Sequence, residues 1–585
     1  MLNHADKSAD EPCRPNADVP TDRDLTNIAS RLRETARLVP NQAAVIVPPR
    51  RFRRERRISF SQLDRDVDCI ARGLNDLGIQ SGHRIVLMVR PGIEFIALTF
   101  ALFRAGATVV LIDPGMGMRR VLRCLAEVAP DGFVGVPFVH LVRRLRRRRF
   151  PSARLNVCVG RNWIGGAVSL DELRSPSAGD FAADAAPRNR QSERMGGPGS
   201  VAVSPTDPAA IIFTSGGTGV PKGVVYEHGM FAAQVDLLCE QFGIRAGEVD
   251  LPGFPLFALF NAAMQVTTIV PDIDPTRPAQ VDPRKILDPI RRYGVTQAFG
   301  SPALWNRVGR YCERTGETIP HLKRAISAGA PVPLHVLSRM KAAFAEHEAD
   351  LHTPYGATEA LPVATIAASE VLAETAERSR RGAGTCVGRP FPHVAVKIIE
   401  IGNQPISVLA DARELPPREI GEIIVNSPSA TREYFRRSQE TDLAKIQDGT
   451  TFWHRMGDVG YLDDDGRLWF CGRKAHVVET AEGRMFSVCC EAVFNEHPDV
   501  YRSALVGLGV NGHKQPVIVV ELERLRGPID AELRELAKAN PLTERIDTFL
   551  IHKSFPVDVR HNIKIDRERL GRWAAKRLGI DEDSQ

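Results

Sequence analysis

The chain has 585 residues, of which 43% are hydrophobic, 25% charged and 6% aromatic, so it can bury the cores of two or more domains. Its 47 glycines and 41 prolines show no three-residue period, which excludes collagen-like and low-complexity scaffolds. The net charge is +6, but residues 50–57 hold six Arg and one Glu and residues 141–150 hold six Arg, so the rest carries −5. This local basic character, without a recognised binding motif, argues against nucleic acid as a partner.

Cysteine usage and the N-terminal segment predict a reducing, cytoplasmic location. The ten cysteines are scattered, with Cys489 and Cys490 as the only close pair, so neither a disulfide framework nor a zinc site is indicated. Residues 1–24 are polar, lack the apolar stretch of a signal peptide and are expected to form a disordered tail. The most apolar region, 95–112, is interrupted by Arg104, so we predict a buried helix and a strand instead of a membrane span.

The first clear helical pattern begins at Ser59. Apolar residues recur at the spacing of one helix face, and Gly78 follows as a stop signal. The residues on this face are Leu63, Val67, Ile70, Leu74 and Leu77.

Strand and helix patterns then alternate along the chain. Residues 84–89 and 107–114 predict strands, and residues 92–104 between them predict a helix. The pattern returns with a strand at 209–213, a Gly-rich loop and a helix. The apolar face of that helix carries Phe231, Val235, Leu238 and Phe242. This alternation predicts an α/β fold with parallel and mixed sheets flanked by helices.

Changes in composition divide the chain. Residues 174–206 are rich in Ser, Gly, Ala, Pro and Arg and predict a flexible loop or insertion. A shorter α+β pattern begins after Arg473. We therefore predict a large domain over residues 25–473 and a small α+β domain over residues 474–585.

The segment FTSGGTGVPKG, residues 213–223, carries the first chemical signal. Its glycines can turn backbone N–H groups toward phosphate oxygens, and its hydroxyls and Lys222 add donors. It departs from the Walker pattern because Pro221 precedes the lysine. By composition alone, an ordinary surface loop and a phosphate loop both stay open.

Seven segments in the same order resemble the adenylate-forming superfamily, which includes acyl-CoA synthetases and the adenylation domains of peptide synthetases. They are FTSGGTGVPKG, SAGAPVP (327–333), TPYGATE (353–359), GTCVGRP (384–390), GEIIVNSP (421–428), RMGDVGYLDDDGRLWFCGRK (455–474) and RHNIKIDRERL (560–570). The resemblance covers residues 25–575 and implies that the small C-terminal domain acts as a lid.

The resemblance also implies ATP and Mg²⁺ as cofactors and assigns the site residues. Those implied for the β and γ phosphates are Thr214, Ser215, Gly216, Gly217, Thr218, Gly219 and Lys222. Those implied around the adenine are Gly329, Ala330, Pro331, Tyr355, Gly356 and Ala357. Asp458 and Arg473 would bind the ribose hydroxyls, and Thr358 the α-phosphate. Glu359 would hold Mg²⁺, and Lys564 would bridge the substrate carboxylate and the α-phosphate.

Each of these residues also has an ordinary structural interpretation. Glu359 could be a carboxylate at a helix N-terminus, Asp458 a turn residue, Tyr355 a core aromatic and Lys564 a solvated strand lysine. The ordinary interpretations need a separate explanation for each residue, whereas a single ATP site accounts for all four residue types.

Departures from the wider family bear on the substrate. The pocket segment FPLFALF (254–260) has Ala258 where many acyl and aryl CoA ligases have His, so an apolar wall for an aliphatic substrate is expected. The substrate pocket is expected at Phe257, Ala258, Phe299, Gly300 and Ser301. Ala475 stands at the hinge, where the family often has Asp or Lys, which weakens the inference of a rotation to a CoA-binding state.

Several longer stretches resemble the β-lactone synthetases of bacterial long-chain olefin biosynthesis. They include FPLFALFNAA, VPDIDPTRPAQVDP (270–283), GSPAL (300–304), TPYGATEALPVA and FPVDVRHNIKI (555–565). The resemblance implies ATP-dependent adenylation of a 2-alkyl-3-hydroxy fatty acid, followed by attack of its own hydroxyl to close a β-lactone. A long-chain fatty acyl-CoA ligase, a fatty acyl-AMP ligase and a catalytically silent scaffold are the alternatives.

Two questions stay open from the sequence. His228, His393 and His454 are nominal candidates for the general base of ring closure, and each also suits a structural or surface role. Residues 50–57 suit a solvated hairpin or loop, whereas 141–150 suit an exposed helix end or a basic amphipathic helix that contacts an anionic membrane or an acidic partner. Other enzymes of the same pathway are also expected partners.

Overall fold

The computed structural model describes residues 27–50, 53–175, 203–213, 221–510, 512–524, 529–557 and 565–580. The tail at 1–24, most of the segment 174–206, the loop residues 214–220 and Lys564 lie outside these ranges.

The α-helices run along the chain as α1 (Ile28–Leu38), α2 (Phe60–Asp76), α3 (Ile93–Arg104), α4 (Met118–Val128), α5 (Pro137–Leu145), α6 (Leu170–Arg174), α7 (His228–Phe242), α8 (Arg284–Tyr293), α9 (Pro302–Thr315), α10 (Leu334–Ala343), α11 (Ala368–Glu370), α12 (Ala376–Arg378), α13 (Ser438–Ala444), α14 (Ser487–Phe494), α15 (Asp530–Lys538) and α16 (Arg567–Leu578). None of them, within the described part of the chain, has both the length and the apolar character that crossing a bilayer requires.

Two seven-stranded sheets organise most of the first 350 residues. The first has the order β7-β6-β5-β3-β4-β8-β9 and the second β14-β13-β12-β10-β11-β1-β2. Their strands are β1 (Ala43–Val47), β2 (Arg56–Ser59), β3 (Arg84–Met88), β4 (Thr108–Leu111), β5 (Gly132–Gly135), β6 (Leu155–Cys158), β7 (Val168–Ser169), β8 (Pro208–Phe213), β9 (Gly223–Glu227), β10 (Val249–Pro252), β11 (Thr267–Ile269), β12 (Gln297–Gly300), β13 (Arg324–Ser327) and β14 (Asp350–His352). Only the edge strands β2 and β9 pair antiparallel with their neighbours.

An antiparallel sheet of eight strands follows, with the order β15-β16-β17-β22-β21-β19-β18 and β20 on β21. Its strands are β15 (Tyr355–Ala357), β16 (Ala360–Thr365), β17 (Thr385–Pro390), β18 (Ala395–Ile399), β19 (Gly421–Asn426), β20 (Lys445–Asp448), β21 (Thr451–Leu462) and β22 (Leu468–Arg473). The predicted α/β class with parallel and mixed sheets is confirmed.

After Arg473 the strands form separate small sheets. A hairpin joins β23 (Val478–Thr480) to β24 (Gly483–Met485), and β25 (Val500–Leu508), β26 (Gln515–Leu522) and β27 (Thr548–Ile551) form a three-stranded sheet. Helix α14 contacts both regions, because Cys489 packs in a core built by earlier residues whereas Phe494 packs in the core of the C-terminal sheet. The domain boundary at Arg473 stays a prediction.

The helix predicted from Ser59 is α2. The Ser59 hydroxyl accepts a hydrogen bond from the backbone N–H of Gln62, whose side chain accepts one from the N–H of Ser59, so a capping box begins the helix. Gly78 follows with a φ of +96°. Four of the five predicted face residues are fully buried, and Leu77 packs against them in part.

The apolar region 95–112 forms α3 and β4, as predicted. Arg104 at the end of α3 is buried, and its guanidinium lies 2.7 Å from Asp64 and 2.5 Å from Asp68, both on α2. The charge that interrupts the apolar sequence is therefore neutralised inside the core by the preceding helix.

The two arginine-rich segments have different structures. Of the first segment, residues 50 and 53–57 are described, and they lie between β1 and the edge strand β2 and in the start of β2. Arg50 pairs with Asp272 at 3.0 Å and Arg56 with Glu94 at 2.5 Å. Residues 141–150 form the end of α5 and a 3-10 turn, Arg147–Arg149, whose side chains are exposed. The described residues agree with a hairpin in the first segment and with an exposed helix end in the second, and contact of the second segment with a membrane or an acidic partner stays a prediction.

Candidate active site

Three of the predicted nucleotide residues meet on the antiparallel sheet. Asp458 and Arg473 are direct cross-strand partners on β21 and β22, and the guanidinium lies 2.9 Å from Oδ1 of the carboxylate. The Tyr355 hydroxyl donates a hydrogen bond of 2.7 Å to Oδ2 of Asp458. The carboxylate is therefore held from both sides by residues that are 103 and 15 positions away in the sequence.

Burial shifts the pKa values of both Asp458 and Tyr355. It raises the pKa of the Asp458 carboxyl above its ordinary value, while Arg473 and the Tyr355 hydroxyl oppose the rise. Burial and the adjacent carboxylate also raise the pKa of Tyr355 well above its ordinary range. The phenol therefore stays a hydrogen-bond donor at neutral pH.

The adenine wall is predicted at Gly329, Ala330 and Pro331, which follow the carboxyl end of β13. Tyr355 follows the carboxyl end of the neighbouring strand β14. Strands β13 and β14 are parallel, and Ile326 is paired with His352. Gly329 and Tyr355 each lie three residues beyond this pair, at the carboxyl ends of neighbouring strands. The φ of +95° at Gly329 is one that residues with a side chain rarely adopt.

Thr358 and Glu359 form the turn between β15 and β16, in which Ala357 pairs with Ala360 and Gly356 lies close to the turn backbone. Two buried tyrosines from other elements hold this turn. The Tyr434 hydroxyl donates a hydrogen bond of 2.8 Å to Oε1 of Glu359, and the Tyr226 hydroxyl donates to the carbonyl of Thr358. The turn therefore has a supported position before any ligand binds.

Lys222 connects this turn to the Gly-rich segment. Its Nζ lies 4.8 Å from the ring centroid of Tyr434, the tyrosine that binds Glu359. The ammonium and the carboxylate thus approach the same tyrosine. Thr214, Ser215, Gly216, Gly217, Thr218 and Gly219 lie outside the described residues.

A buried lysine behind the turn was not predicted. Nζ of Lys445 donates to the carbonyl of Thr431 and lies 3.0 Å from Nδ1 of His454. The N–H of Thr431 in turn donates to the carbonyl of Glu359 at 2.8 Å. Burial lowers the pKa of Lys445 to about 7, and Glu359 opposes this effect.

The sequence signal for these supporting residues was weak. Tyr226, Tyr434 and Lys445 belong to β9, the loop after β19 and β20, and they lie far in sequence from the turn that they support. A local signal is the pair of aromatic residues that ends the otherwise polar segment TREYF (431–435), and it does not identify a partner.

The predicted substrate pocket is brought together in part. A small cleft is lined by Ala258 with Phe95, Ile96 and several prolines and glycines. The Phe257 and Phe299 rings stack at 3.8 Å beside the segment that carries Ala258. The wall of this cleft is mostly apolar, and its use by a substrate stays a prediction.

Gly300 and Ser301 have structural roles at the start of α9. The Ser301 hydroxyl accepts a hydrogen bond of 3.3 Å from the N–H of Leu304 and caps the helix. A Cβ at Gly300 would lie 2.9 Å from the Trp305 ring, so only glycine fits there. They position the end of β12 and do not line the cleft.

None of the three candidate histidines lines this cleft. His228 is fully buried, neither ring nitrogen has a hydrogen-bond partner among the described residues, and burial lowers its pKa to about 4. His393 is exposed beside Glu240, and His454 contacts Lys445. These positions suit structural and surface roles.

The residue before the hinge position is anchored. Nζ of Lys474 lies 2.9 Å from Oε1 of Glu422 and donates to the carbonyl of Gly402 at 2.9 Å. Glu422 is fully buried and also binds Arg455 at 2.6 Å. The next residue, Ala475, is exposed and carries no group that could form an alternative contact.

Comparison with known proteins identifies the class to which this fold and site belong. The family model described as AMP-binding enzyme matches residues 32–435, and the chain belongs to this family. Two curated relatives are similar along almost their full length. The olefin β-lactone synthetase of Stenotrophomonas maltophilia (strain K279a) is 46% identical over 568 residues, which cover 94% of this chain and 98% of that protein. The olefin β-lactone synthetase of Xanthomonas campestris pv. campestris is 45% identical over 573 residues, with the same coverage.

Solved structures share the fold at lower identity. The amide bond synthetase McbA from Marinactinospora thermotolerans aligns with a TM-score of 0.73 and 22% identity, covering 94% of this chain and 99% of that one. O-succinylbenzoate coenzyme A synthetase (MenE) from Bacillus subtilis, solved in complex with ATP and magnesium ion, aligns with a TM-score of 0.69 and 19% identity, covering 92% and 98%. This likeness concerns the fold.

Proposed function

We propose that the chain is an ATP-dependent ligase that converts a 2-alkyl-3-hydroxy fatty acid to a β-lactone. In the first step a carboxylate oxygen attacks the α-phosphorus of ATP, and the bond to pyrophosphate breaks. In the second step the β-hydroxyl oxygen attacks the activated carbonyl, loses its proton, and the bond to AMP breaks. The products are the lactone, AMP and pyrophosphate, and no thiol acceptor takes part.

The observation that carries this proposal is the 45–46% identity to olefin β-lactone synthetases over 94% of the chain. The two carboxylates of the candidate site support it. Asp458 is held by Tyr355 and Arg473, and Glu359 is held by Tyr434. Because these carboxylates are already held in place, they need little reordering when ribose hydroxyls or a magnesium ion bind to them.

In this proposal Tyr355 and Gly329 to Pro331 enclose the adenine, and Asp458 with Arg473 binds the ribose hydroxyls. Lys222 and the segment 214–219 hold the β and γ phosphates, while the Thr358 hydroxyl contacts the α-phosphate. The Tyr355 hydroxyl keeps the Asp458 carboxylate oriented for the ribose.

Glu359 suits a magnesium ligand. Its Oε1 accepts a hydrogen bond from Tyr434, whereas no group among the described residues donates to Oε2. A half-buried carboxylate oxygen of this type is a ligand that Mg²⁺ prefers. Bound there with ATP, the ion would neutralise phosphate charge as pyrophosphate leaves.

The apolar cleft supports an aliphatic substrate. Ala258 leaves room where a larger side chain would fill the cleft, and Phe95 and Ile96 supply apolar contacts for alkyl carbons. For ring closure, the cleft must keep the β-hydroxyl close to the adenylated carbonyl, because forming a four-membered ring is strained. AMP is a good leaving group, so positioning is the main requirement.

A product assay tests this function. The purified protein is incubated with ATP, Mg²⁺ and a 2-alkyl-3-hydroxy acid, without and with coenzyme A, and the products are analysed by mass spectrometry. We expect lactone, AMP and pyrophosphate in equal amounts, independent of coenzyme A. A coenzyme A thioester formed in place of the lactone would make the chain an acyl-CoA ligase. Failure to release pyrophosphate with every carboxylic acid would favour a scaffold.

Lys564 is proposed to bridge the substrate carboxylate and the α-phosphate. Lys564→Ala should suppress pyrophosphate release while leaving the unfolding midpoint unchanged, because the residue acts on charge and not on packing. Lys553→Ala, an exposed lysine in the same region, is the matched control. Equal adenylation rates for the two variants would disprove this role. The C-terminal lid, a cytoplasmic location and contact with other enzymes of the same pathway stay predictions.

A further inference from the structure

One surface of the molecule takes no part in the proposed reaction. It consists of α5, the turn Arg147–Arg149 and the loop 159–167, and we call it the arginine surface. Two hydrogen bonds join the loop to the helix. Arg143 donates to the carbonyl of Gly166 at 2.9 Å, and Arg144 donates to the carbonyl of Ile164 at 2.8 Å. The helix and the loop therefore present one continuous surface.

The charge of this region is of one sign. Residues 132–170 contain eight arginines and no aspartate or glutamate. No described acidic side chain forms an ion pair with any of the eight, in contrast to Arg50 and Arg56 of the other arginine-rich segment. The arginines at positions 144 and 146–149 are exposed. Such a surface attracts anions strongly at physiological ionic strength.

Three large apolar side chains stand among these arginines. Phe138 is 60% exposed, Leu145 73% and Trp163 65%. Phe138 and Leu145 are seven residues apart on α5, which is two helical turns, so they lie on the same face. An aromatic and aliphatic face next to clustered arginines is typical of segments that lie in the interface of a membrane.

The topology places this surface near the apolar cleft. Strands β3, β5 and β6 are parallel neighbours, so the segments that follow them leave from the same sheet edge. Pro91 and Gly92 follow β3 and line the cleft, while Phe138 follows β5 and Trp163 follows β6. The strands β3 and β6 are two positions apart, which corresponds to about 10 Å.

We propose that the arginine surface docks the protein on a lipid bilayer that carries anionic headgroups. The arginines pair with headgroup phosphates, and Phe138, Leu145 and Trp163 enter the boundary between headgroups and acyl chains. Exposed apolar side chains of this size favour a bilayer over a nucleic acid, whose backbone offers no apolar layer. The docking is independent of the reaction that the active site performs.

Vesicle flotation tests the docking. The full chain is mixed with vesicles of phosphatidylcholine alone or with one third phosphatidylglycerol, at low and at high salt. We expect binding to the anionic vesicles that weakens as salt screens the charges. Arg147→Ser/Arg148→Ser/Arg149→Ser should lower the partition coefficient on the order of 100-fold, since each arginine near an anionic surface contributes about a fivefold factor and the three factors multiply.

A matched control removes the same charge elsewhere. Arg53→Ser/Arg54→Ser/Arg57→Ser changes three exposed arginines of the other segment and should leave binding nearly unchanged. Trp163→Ala should weaken binding at both salt concentrations, because it removes apolar contact and no charge. The fluorescence of the native chain should shift to the blue on anionic vesicles, and this shift should be lost in Trp163→Ala.

Three results would overturn the docking. One is equal binding to neutral and anionic vesicles. Another is an equal loss of binding in the two triple variants, since net charge alone would then explain the attraction. The third is binding to duplex DNA, measured by fluorescence anisotropy at the same salt, in a chain that does not float with vesicles. Unchanged unfolding midpoints and pyrophosphate release would show that the variants are folded.

Discussion

The hydrogen bond from Tyr434 to Glu359 offers a direct test of how the active site is preorganised. Tyr434→Phe removes one hydroxyl and keeps the ring that packs near Lys222. Burial and the adjacent carboxylate raise the pKa of Tyr434 above its ordinary range, so the hydroxyl is protonated and donates throughout the working pH range. The variant therefore removes a donor to a charged group at every pH of the assay.

The expected size of the effect follows from the charge of the acceptor. A hydrogen bond to a charged group contributes about 1.5–3 kcal/mol, which corresponds to about a 10- to 150-fold change in rate when it acts on the reaction. Glu359 is half-buried, so water can replace the lost donor and the loss of stability should be small, about 1 kcal/mol or less. Activity should consequently fall more than stability.

The assay is ATP–pyrophosphate exchange at several Mg²⁺ concentrations, with urea unfolding as the stability measurement. Tyr226→Phe is the control, because this tyrosine also supports the turn but donates to the neutral carbonyl of Thr358. We expect kcat/KM for ATP to fall more in Tyr434→Phe, together with a higher Mg²⁺ requirement. Equal losses in the two variants, or less than a twofold loss in Tyr434→Phe, would refute the reasoning.

Three further changes address charge, pH and the cleft. Arg104→Met removes the buried partner of Asp64 and Asp68, which keep Arg33 as a partner, and should lower the free energy of unfolding by about 2 kcal/mol in urea. Lys445→Met should flatten the pH dependence of stability. In the folded state the pKa of Lys445 is lowered to about 7 from an ordinary 10.5. Between these two pH values the folded chain binds fewer protons than the unfolded chain, so the free energy of unfolding of the native chain rises with pH. Ala258→Phe should reduce kcat/KM for long-chain more than for short-chain acids, as measured by pyrophosphate release.

Each of these changes has its own control. Arg31→Met breaks a pair with the exposed Asp236 and should cost less than about 1 kcal/mol. For Lys445→Met, denaturation at pH 6, 8 and 10 should show the largest gain relative to the native chain at pH 6, and a constant difference would contradict the assignment. Ala262→Phe, which fills a nearby core position outside the cleft, should lower activity toward all chain lengths alike. Equal chain-length profiles for the two phenylalanine variants would contradict the role of Ala258.

Local patterns predicted the elements well because their causes are local. The helix α2 has its capping box, its apolar face and its glycine stop within twenty residues, and the structure has all three. The strands β3, β4 and β8 likewise follow from short β-branched runs. The order of these strands in the sheet does not follow from local patterns, because β8 lies next to β4 although almost a hundred residues separate them.

The contacts within the candidate active site could be anticipated only where a family motif supplies the residues. Tyr355, Asp458 and Arg473 were identified from family motifs, and the structure brings them together through strand pairing. Tyr434 and Lys445 were missed, because their roles depend on which carboxylate or carbonyl they meet after folding. Gly300 and Ser301 pack and cap the start of α9, a role that the sequence did not suggest, and their place in the substrate pocket stays a prediction.

By itself the sequence determined the class of fold, the family motifs and the two centres of positive charge. Hydrophobic spacing, motif order and charge counts can be read without knowing which residues are in contact. Only the tertiary structure decided which charges are neutralised. Arg104 looked like an interruption, but it is paired in the core, whereas Arg144 and the arginines at 146–149 are exposed in the segment that also carries Phe138 and Leu145. The physical reason is that the effect of a charge depends on its partners and its burial, and folding determines both.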